Sequence, residues 1–598
     1  MDTEVRRLLL VGIFIRLLLM PFFTHDDLPL IIMMFTSCAS NGGINPYEYF
    51  SSLGLMSIFP YPPLYYEVML PYFYMLNSAG IVKFAELKEY ACLERLKFGI
   101  SPFAQTLLYE GETNILLFFA KIPYLFFDIG AALVLLRLDR RLFMYWIFCP
   151  ITIWVSYVWG QFDIIPVFFV VVALYYAKIS FERNCFRSAC LSMLSLGMGI
   201  AFKMFPLFFV PFFAIFLARK DIGRGIMLGA LALLPLIVAS LPFINSLDFI
   251  RTVFLSSRFT GRVFYGSYTS PFFLGAIASL MVLGICSACN FENLWRYCFA
   301  ALSFFYMFVP WHPQWFVWIA PFIGIALINY GWYRIAYGFQ ATVYSLHLNA
   351  AMILSSWIYP FSPVSPYLQP NMNESLLLAY VLISNSAWLI LVVGLFISVL
   401  YLSARKKSSN EPLDKNWLIA VLGVFFFIFA ILHLPLSYSL GEMPDLTNIL
   451  RDSVNSGAFI AKNNGISGID VFAKSANPVS ESCLILSDGN RTVRQACVLP
   501  EGNVSFLRFR FDSILDSANR GYEFNITNAV APDGFNKANL GDECASFKVY
   551  FKPDNPIAKI VQGFFDNVRR QFAFFLFYFV LLGIVLLLCA ECLKIPKL

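Results

Sequence analysis

The chain has 598 residues, 59% of them hydrophobic and 13% charged, with a mean hydropathy of +0.69. A soluble domain averages roughly 45–50% apolar and about 25% charged, so most of this chain is solvated by lipid. The net charge of +6 is modest; no Lys/Arg tract interleaves with exposed aromatics as in a nucleic-acid footprint, and no CxxC pair with a matching Cys or His cluster points to zinc.

The first apolar segment, Leu8 to Phe23, has the look of a signal h-region, but Arg16 interrupts it and no small-residue cleavage site follows. It reads as a retained first span. A span needs about 20 apolar residues, and about fourteen candidates follow that rule, several of them short. They lie near 6–23, 114–136, 142–158, 164–180, 187–202, 205–218, 226–243, 271–289, 297–310, 315–330, 335–356, 376–402, 416–434 and 571–590. The expected fold is an all-α polytopic membrane protein with one polar insertion. A transmembrane domain covers 1–434, a β-rich extracytoplasmic domain 435–568, and a last transmembrane helix 569–598. In the insertion, Leu507, Phe509 and Phe511 alternate with Arg508 and Arg510, the period of a strand. Cys483, Cys497 and Cys544 lie in this stretch, and in an oxidising compartment two of them, with Cys483–Cys497 the expected pair, form a bridge.

Lys and Arg near span ends mark the cytoplasmic side. With Arg6 and Arg7 inside, the inner loops carry Arg137, Arg140 and Arg141, then Arg183 and Arg187, Arg219, Lys220 and Arg224, Arg334, and Arg405 to Lys407. This ladder keeps segment 24–112 outside as a long first loop, in which Pro62–Leu76 is a re-entrant or interfacial helix. If that piece spans instead, the ladder shifts at Arg137. The sequons at Asn373, Asn490, Asn503 and Asn525 all fall on the outer side, where glycosylation requires them. The outer side is a cell surface or an ER lumen.

Ionisable residues beside spans are costly and are functional candidates by default. Here they gather on the outer face. His25, Asp26 and Asp27 follow the first span; Gly43-Ile44-Asn45-Pro46-Tyr47 and Tyr61-Pro62-Pro63-Leu64 lie in the first loop. Trp159-Gly160-Gln161-Phe162-Asp163 joins two spans, Lys203 precedes Met204-Phe205-Pro206, and Trp311-His312-Pro313-Gln314 closes a hairpin. The loop 244–270 carries Arg251, Arg258 and Arg262 against the positive-inside rule. Outer arginines at a membrane surface suit a phosphate, which Arg binds bidentately. Each feature also has a structural reading: the acidic pair as solvent for a helix end, Gln161 and Asp163 as caps, Lys203 snorkelling to headgroups, the arginines gripping anionic lipid. Asp128 and Lys121 could pair with each other or line a cavity.

These motifs together resemble the GT-C superfamily of glycosyltransferases, and more narrowly its polyprenol- or dolichyl-phosphate-mannose-dependent mannosyltransferase branch. Lys121-Ile122-Pro123 with Asp128, then Gly160-Gln161-Phe162-Asp163, then Lys203 with Pro206, is similar to that branch's spacing, and the likeness covers roughly residues 1–330. It implies that an acidic residue of the first outer loop is the catalytic carboxylate, here Asp26 or Asp27. The pair most resembles the Asp-Glu of protein mannosyltransferases, whose first member is the base, which favours Asp26; the Asp-Asp found here departs from that pattern and leaves the choice open. No tandem Trp-Trp-Asp is present, which argues against en bloc glycan transfer.

The chemistry asks little of the protein. A carboxylate takes the acceptor proton, and preorganised cations stabilise the leaving phosphate. Lys203, Arg258 and Arg262 are the candidate phosphate cradle; Gln161, Asp163 and His312 are candidates to orient the sugar and acceptor. No metal or cofactor is expected, because the lipid-phosphate sugar is itself a substrate. The expected partners are that donor, a glycan, glycolipid or protein acceptor, and membrane lipid. Competing readings are a flippase or transporter for a lipid-linked sugar, which predicts mid-membrane charges and paired repeats, and a non-catalytic scaffold subunit, for which the acidic pair is dispensable.

Overall fold

The computed structural model describes residues 2–25, 27–28, 31–32, 35, 38, 45–52, 61–80, 113–255, 270–331, 333–355, 369–370, 374–404 and 415–433, strand segments between 438 and 551, residues 565 and 568–569, and 571–594. Among these, four helices are long and apolar enough to cross a membrane: Asn114–Leu138, Ile164–Arg183, Ile222–Phe243 and Val381–Ser403. A fifth crossing is available if Arg140–Ile147 and Pro150–Val158, bent by 44°, are one span, and six apolar helices are shorter. The protein is an integral membrane protein; the expected count of about fourteen spans, several of them short, is not confirmed by these helices. Proline breaks some of the apolar segments. Pro150, Pro206, Pro211, Pro313 and Pro321 each stand at the first turn of a new helical segment, where a missing N–H is tolerated but continuation of the preceding helix is not.

The first helix, Thr3–Leu19, starts at Asp2, whose carboxylate accepts the Val5 amide at 2.8 Å. It packs against the last helix, Phe572–Lys594; the Phe22 and Tyr578 rings meet edge-on at 5.9 Å, and Gln571 accepts the Ile115 amide at 3.1 Å. Inside the bundle Arg16 is fully buried and its Nε donates to Asp128 at 2.6 Å. Asp128 also accepts from Trp146 Nε1 at 2.7 Å and from the Tyr157 hydroxyl at 2.9 Å. Of the two readings for Asp128 and Lys121, the pairing is not found: Arg16 takes the carboxylate, and Lys121 turns to backbone carbonyls.

Between the first helix and Asn114, Pro63–Ser78 is a helix of 16 residues. At 1.5 Å per residue it spans about 24 Å, short of the roughly 30 Å hydrocarbon core. It packs on the helices Phe186–Phe202 and Ile222–Ser240, where Leu64 meets Ile200, Ala201 and Leu236, while Tyr65 stacks on Phe162 and Phe73 on Phe35.

The polar insertion is a β-sandwich. A five-stranded antiparallel sheet contains Ile449–Ser453, Ser456–Ile460, Gly521–Ile526, Ser482–Asp488 and Arg491–Val498 in that order. A four-stranded sheet contains Leu507–Ile514, Ile466–Val471, Phe547–Phe551 and Met443–Asp445. Leu507 and Phe509 point inward with Ile469, Val471 and Val549, and meet Leu484, Leu486, Tyr522 and Phe524 from the other sheet. The alternation visible in the sequence is thus the pleat of one strand. Cys483 and Cys497 face each other on neighbouring strands and form a disulfide; Cys544 lies outside the described residues.

Candidate functional site

The segment 154–163 carries the site. A π-helical turn, Trp154–Val158, ends the helix from Pro150, with the Trp159 amide donating back to Trp154 O at 2.8 Å. Such turns free a carbonyl from the helical ladder and are frequent at functional positions. Gly160 follows at φ +80°, a conformation that side chains resist; a Cβ there would stand 2.9 Å from Leu28 and 3.3 Å from Lys121. The hairpin then aims its two polar side chains at two partners.

Gln161 goes to Asp27. Its Nε2 donates to Asp27 Oδ2 at 2.8 Å. His25 Nδ1 lies 3.2 Å from the Asp27 amide and 3.4 Å from Oδ2, so it accepts the amide when neutral and supports the carboxylate when protonated. The His25 ring rests 4.7 Å from Trp159, and the His25 amide donates to Trp159 O at 2.9 Å. The Asp27 side chain keeps 33% of its surface open, which leaves room for a substrate hydroxyl. Burial opposes its ionisation, but the charge and hydrogen bond of His25, the amide of Gln161 and the charge of His312 outweigh it and hold the carboxyl well below the usual range.

Asp163 goes to Lys203. Lys203 Nζ and Trp318 Nε1 donate to the same oxygen, Asp163 Oδ1, at 2.7 and 2.6 Å, while Oδ2 is buried with no hydrogen-bond partner among the described residues. Asp163 precedes the helix Ile164–Arg183 but makes no side-chain cap, so capping does not explain it. Nor does Lys203 snorkel: its ammonium lies 4.8 Å from the Phe162 ring and 5.6–5.9 Å from those of Trp318, Tyr61 and Trp315, a cation–π enclosure. The loop motifs close over it. Asn45 Oδ1 accepts the Tyr47 amide, and the Tyr47 hydroxyl donates to Tyr61 O at 2.9 Å.

No protein-family model matches the chain, and no curated protein matches it. Among solved structures, one with a likeness is the arabinosyltransferase EmbB from Mycobacterium smegmatis, at 10% identity and a TM-score of 0.27, covering 75% of this chain and 58% of that one. The chain thus spans less than two thirds of that protein's length, and a TM-score this low carries no inference about fold or activity.

Of the residues expected from the sequence, Asp27, Gln161 and His312 come together, and Asp163 and Lys203 form a neighbouring pair. Asp26, Arg258, Arg262, Asn373, Asn490 and Asn503 lie outside the described residues. Arg251 is exposed on the short helix Leu247–Val253. Asn525 sits on the exposed face of a central strand. Sequence reasoning missed the roles of His25 as partner of Asp27, of the aromatic walls Tyr61, Phe162, Trp315 and Trp318, and of Lys121. Their signal was weak, because aromatics are abundant throughout: the chain has 65 Phe, 30 Tyr and 11 Trp.

Proposed function

We propose that the protein is an inverting membrane glycosyltransferase that moves a hexose, with mannose the first candidate, from a polyprenyl or dolichyl phosphate to a hydroxyl of a glycan, glycolipid or protein on the extracytoplasmic face. The observation that carries the reading is the Asp27 carboxylate, partly open and fixed by Gln161 and His25. In the reaction the acceptor oxygen attacks the anomeric carbon as the bond to the donor phosphate breaks; the polyprenyl phosphate leaves with the electron pair, and the acceptor proton passes to Asp27. A carboxylate held this low is a weak base, so it takes the proton late, when the attacking oxygen has become acidic. The leaving phosphate needs no proton, only positive charge. Lys203 is already matched by Asp163, so the cradle we assign to the donor phosphate draws chiefly on Arg258 and Arg262. We assign the sugar and the incoming hydroxyl to Gln161 and His312, whereas Asp163 is wholly buried against Lys203 and Trp318; the polyprenyl tail stays in lipid because so apolar a chain is excluded from water.

The test is transfer of label from radiolabelled polyprenyl-phosphate mannose, beside the glucose analogue, by the full chain in lipid nanodiscs, with an acceptor extract from the same source. Transfer by wild type and its loss in Asp27→Asn support the reading, and Asp26→Asn run in parallel assigns the base within the acidic pair. A folded wild-type protein that binds the donor and transfers neither sugar overturns it in favour of a transporter or scaffold.

A further inference from the structure

Two helices end shortly before the segments that carry Asp27 and Gln161: Thr3–Leu19 at Met20, and the one from Pro150 in its π turn. Helix ends leave carbonyls without the amides that would satisfy them. Lys121 reaches both. Its Nζ donates to Met20 O at 2.9 Å, to Tyr157 O at 2.9 Å and to Phe23 O, and its side chain is wholly buried. Three backbone carbonyls, two of them from helix ends, thus converge on one side-chain nitrogen. From Phe23 the chain runs four residues to Asp27, and from Tyr157 four residues to Gln161. Gly160, which lacks a Cβ where one would press on Lys121 Cε at 3.3 Å, lets the hairpin close on the lysine stem.

We propose that Lys121 is a positioning residue: its one buried side-chain nitrogen clamps the two backbone ends that carry Asp27 and Gln161, and so fixes the contact through which Gln161 orients the carboxylate. It touches no substrate. The proposal rests on the transferase reading above.

The experiment compares wild type, Lys121→Met, Gln161→Ala and the double variant in nanodiscs, reading kcat, donor KM and backbone amide exchange. Lys121→Met is expected to lower kcat by roughly 10²-fold, the scale of a small misplacement, with donor KM unchanged and faster exchange at the His25 and Gln161 amides. Because both changes act on one contact, the double variant is expected to be no slower than Lys121→Met alone. Losses that multiply, or a wild-type kcat in Lys121→Met, overturn the clamp while wild-type transfer stands; absence of transfer by wild type overturns the underlying reading instead. Should Lys121→Met fail to fold, Lys121→Arg carries the same cycle. Arg is longer and carries a planar fork that cannot set one nitrogen among the three carbonyls, so a lost kcat that is non-additive with Gln161→Ala supports the clamp, and an additive loss or none rejects it.

Discussion

Gln161 Nε2 holds Asp27 Oδ2 at 2.8 Å across 134 residues of chain. An amide that donates to the ionised carboxylate favours that form, so removing it makes ionisation harder and raises the Asp27 pKa toward the ordinary value of about 3.9. The acid limb of kcat/KM in Gln161→Ala is expected to move to higher pH than in wild type, and His25→Ala is expected to move it the same way, since His25 also lowers the carboxyl. Rate profiles carried down to about pH 3 and up to about pH 7 cover the range in which an acid limb displaced in this way becomes visible. An acid limb unmoved in both variants removes Asp27 from the role of base.

The Asp163–Lys203 pair separates two kinds of positive charge. Lys203 is spent on Asp163 at 2.7 Å inside a cage of rings, whereas the outer-loop arginines are assigned to phosphate. Arg258→Ala with Arg262→Ala is expected to raise donor KM and flatten its salt dependence. Lys203→Met is expected to act mainly on folded yield, because it strands a buried carboxylate at a cost of roughly 3–5 kcal/mol. Donor titrations at two ionic strengths decide. A larger KM effect from Lys203→Met than from the arginine pair reverses the assignment.

Arg16 and Asp128 make the opposite case, a buried pair whose bonds are filled. Arg16 donates to Asp128 and to the carbonyls of Gly12, Ile147 and Trp146, and Asp128 also receives Trp146 and Tyr157. Arg16→Met alone is expected to destabilise by roughly 3–5 kcal/mol, and Arg16→Met with Asp128→Leu by clearly less, because the double change removes both charges. Thermal unfolding midpoints in nanodiscs read the difference. Equal midpoints for the single and double variants show that the pair is not the lock of the first helix.

How far the sequence carried varies with the physics of each feature. Lipid solvation, the β-rich insertion and the strand at Leu507–Ile514 were legible, because burial imposes a period that composition alone displays. Asp27 and Gln161 were legible as polar exceptions on one face, though not as partners. Arg16 appeared only as an interruption of an apolar run; a charge in one span calls for an opposite charge in another, but nothing in a linear sequence says that Asp128 rather than some other acid answers it. Lys121 was harder still, since its partners are carbonyls, which every residue has. The broken spans at Pro150, Pro206 and Pro313 were visible as prolines, yet hydropathy averaged over a window hides a bend.

The sandwich has a core of its own, distinct from that of the helical bundle. Phe509 is fully buried at its centre, on a strand paired with Ile466–Val471. Truncation to alanine removes a large apolar side chain from a packed interior at a cost of roughly 3–5 kcal/mol, a heavy loss for a small domain. Because the two cores are separate, Phe509→Ala is expected to open the insertion to protease while the transmembrane helices stay protected and the bundle keeps its thermal midpoint. The Cys483–Cys497 bridge joins two neighbouring strands of one sheet; it does not tie the two sheets together and so does not rescue the variant. Limited proteolysis of intact nanodisc samples, with fragments read by mass, measures both parts at once. Cleavage that spreads into the bundle would show that the two cores fold as one unit.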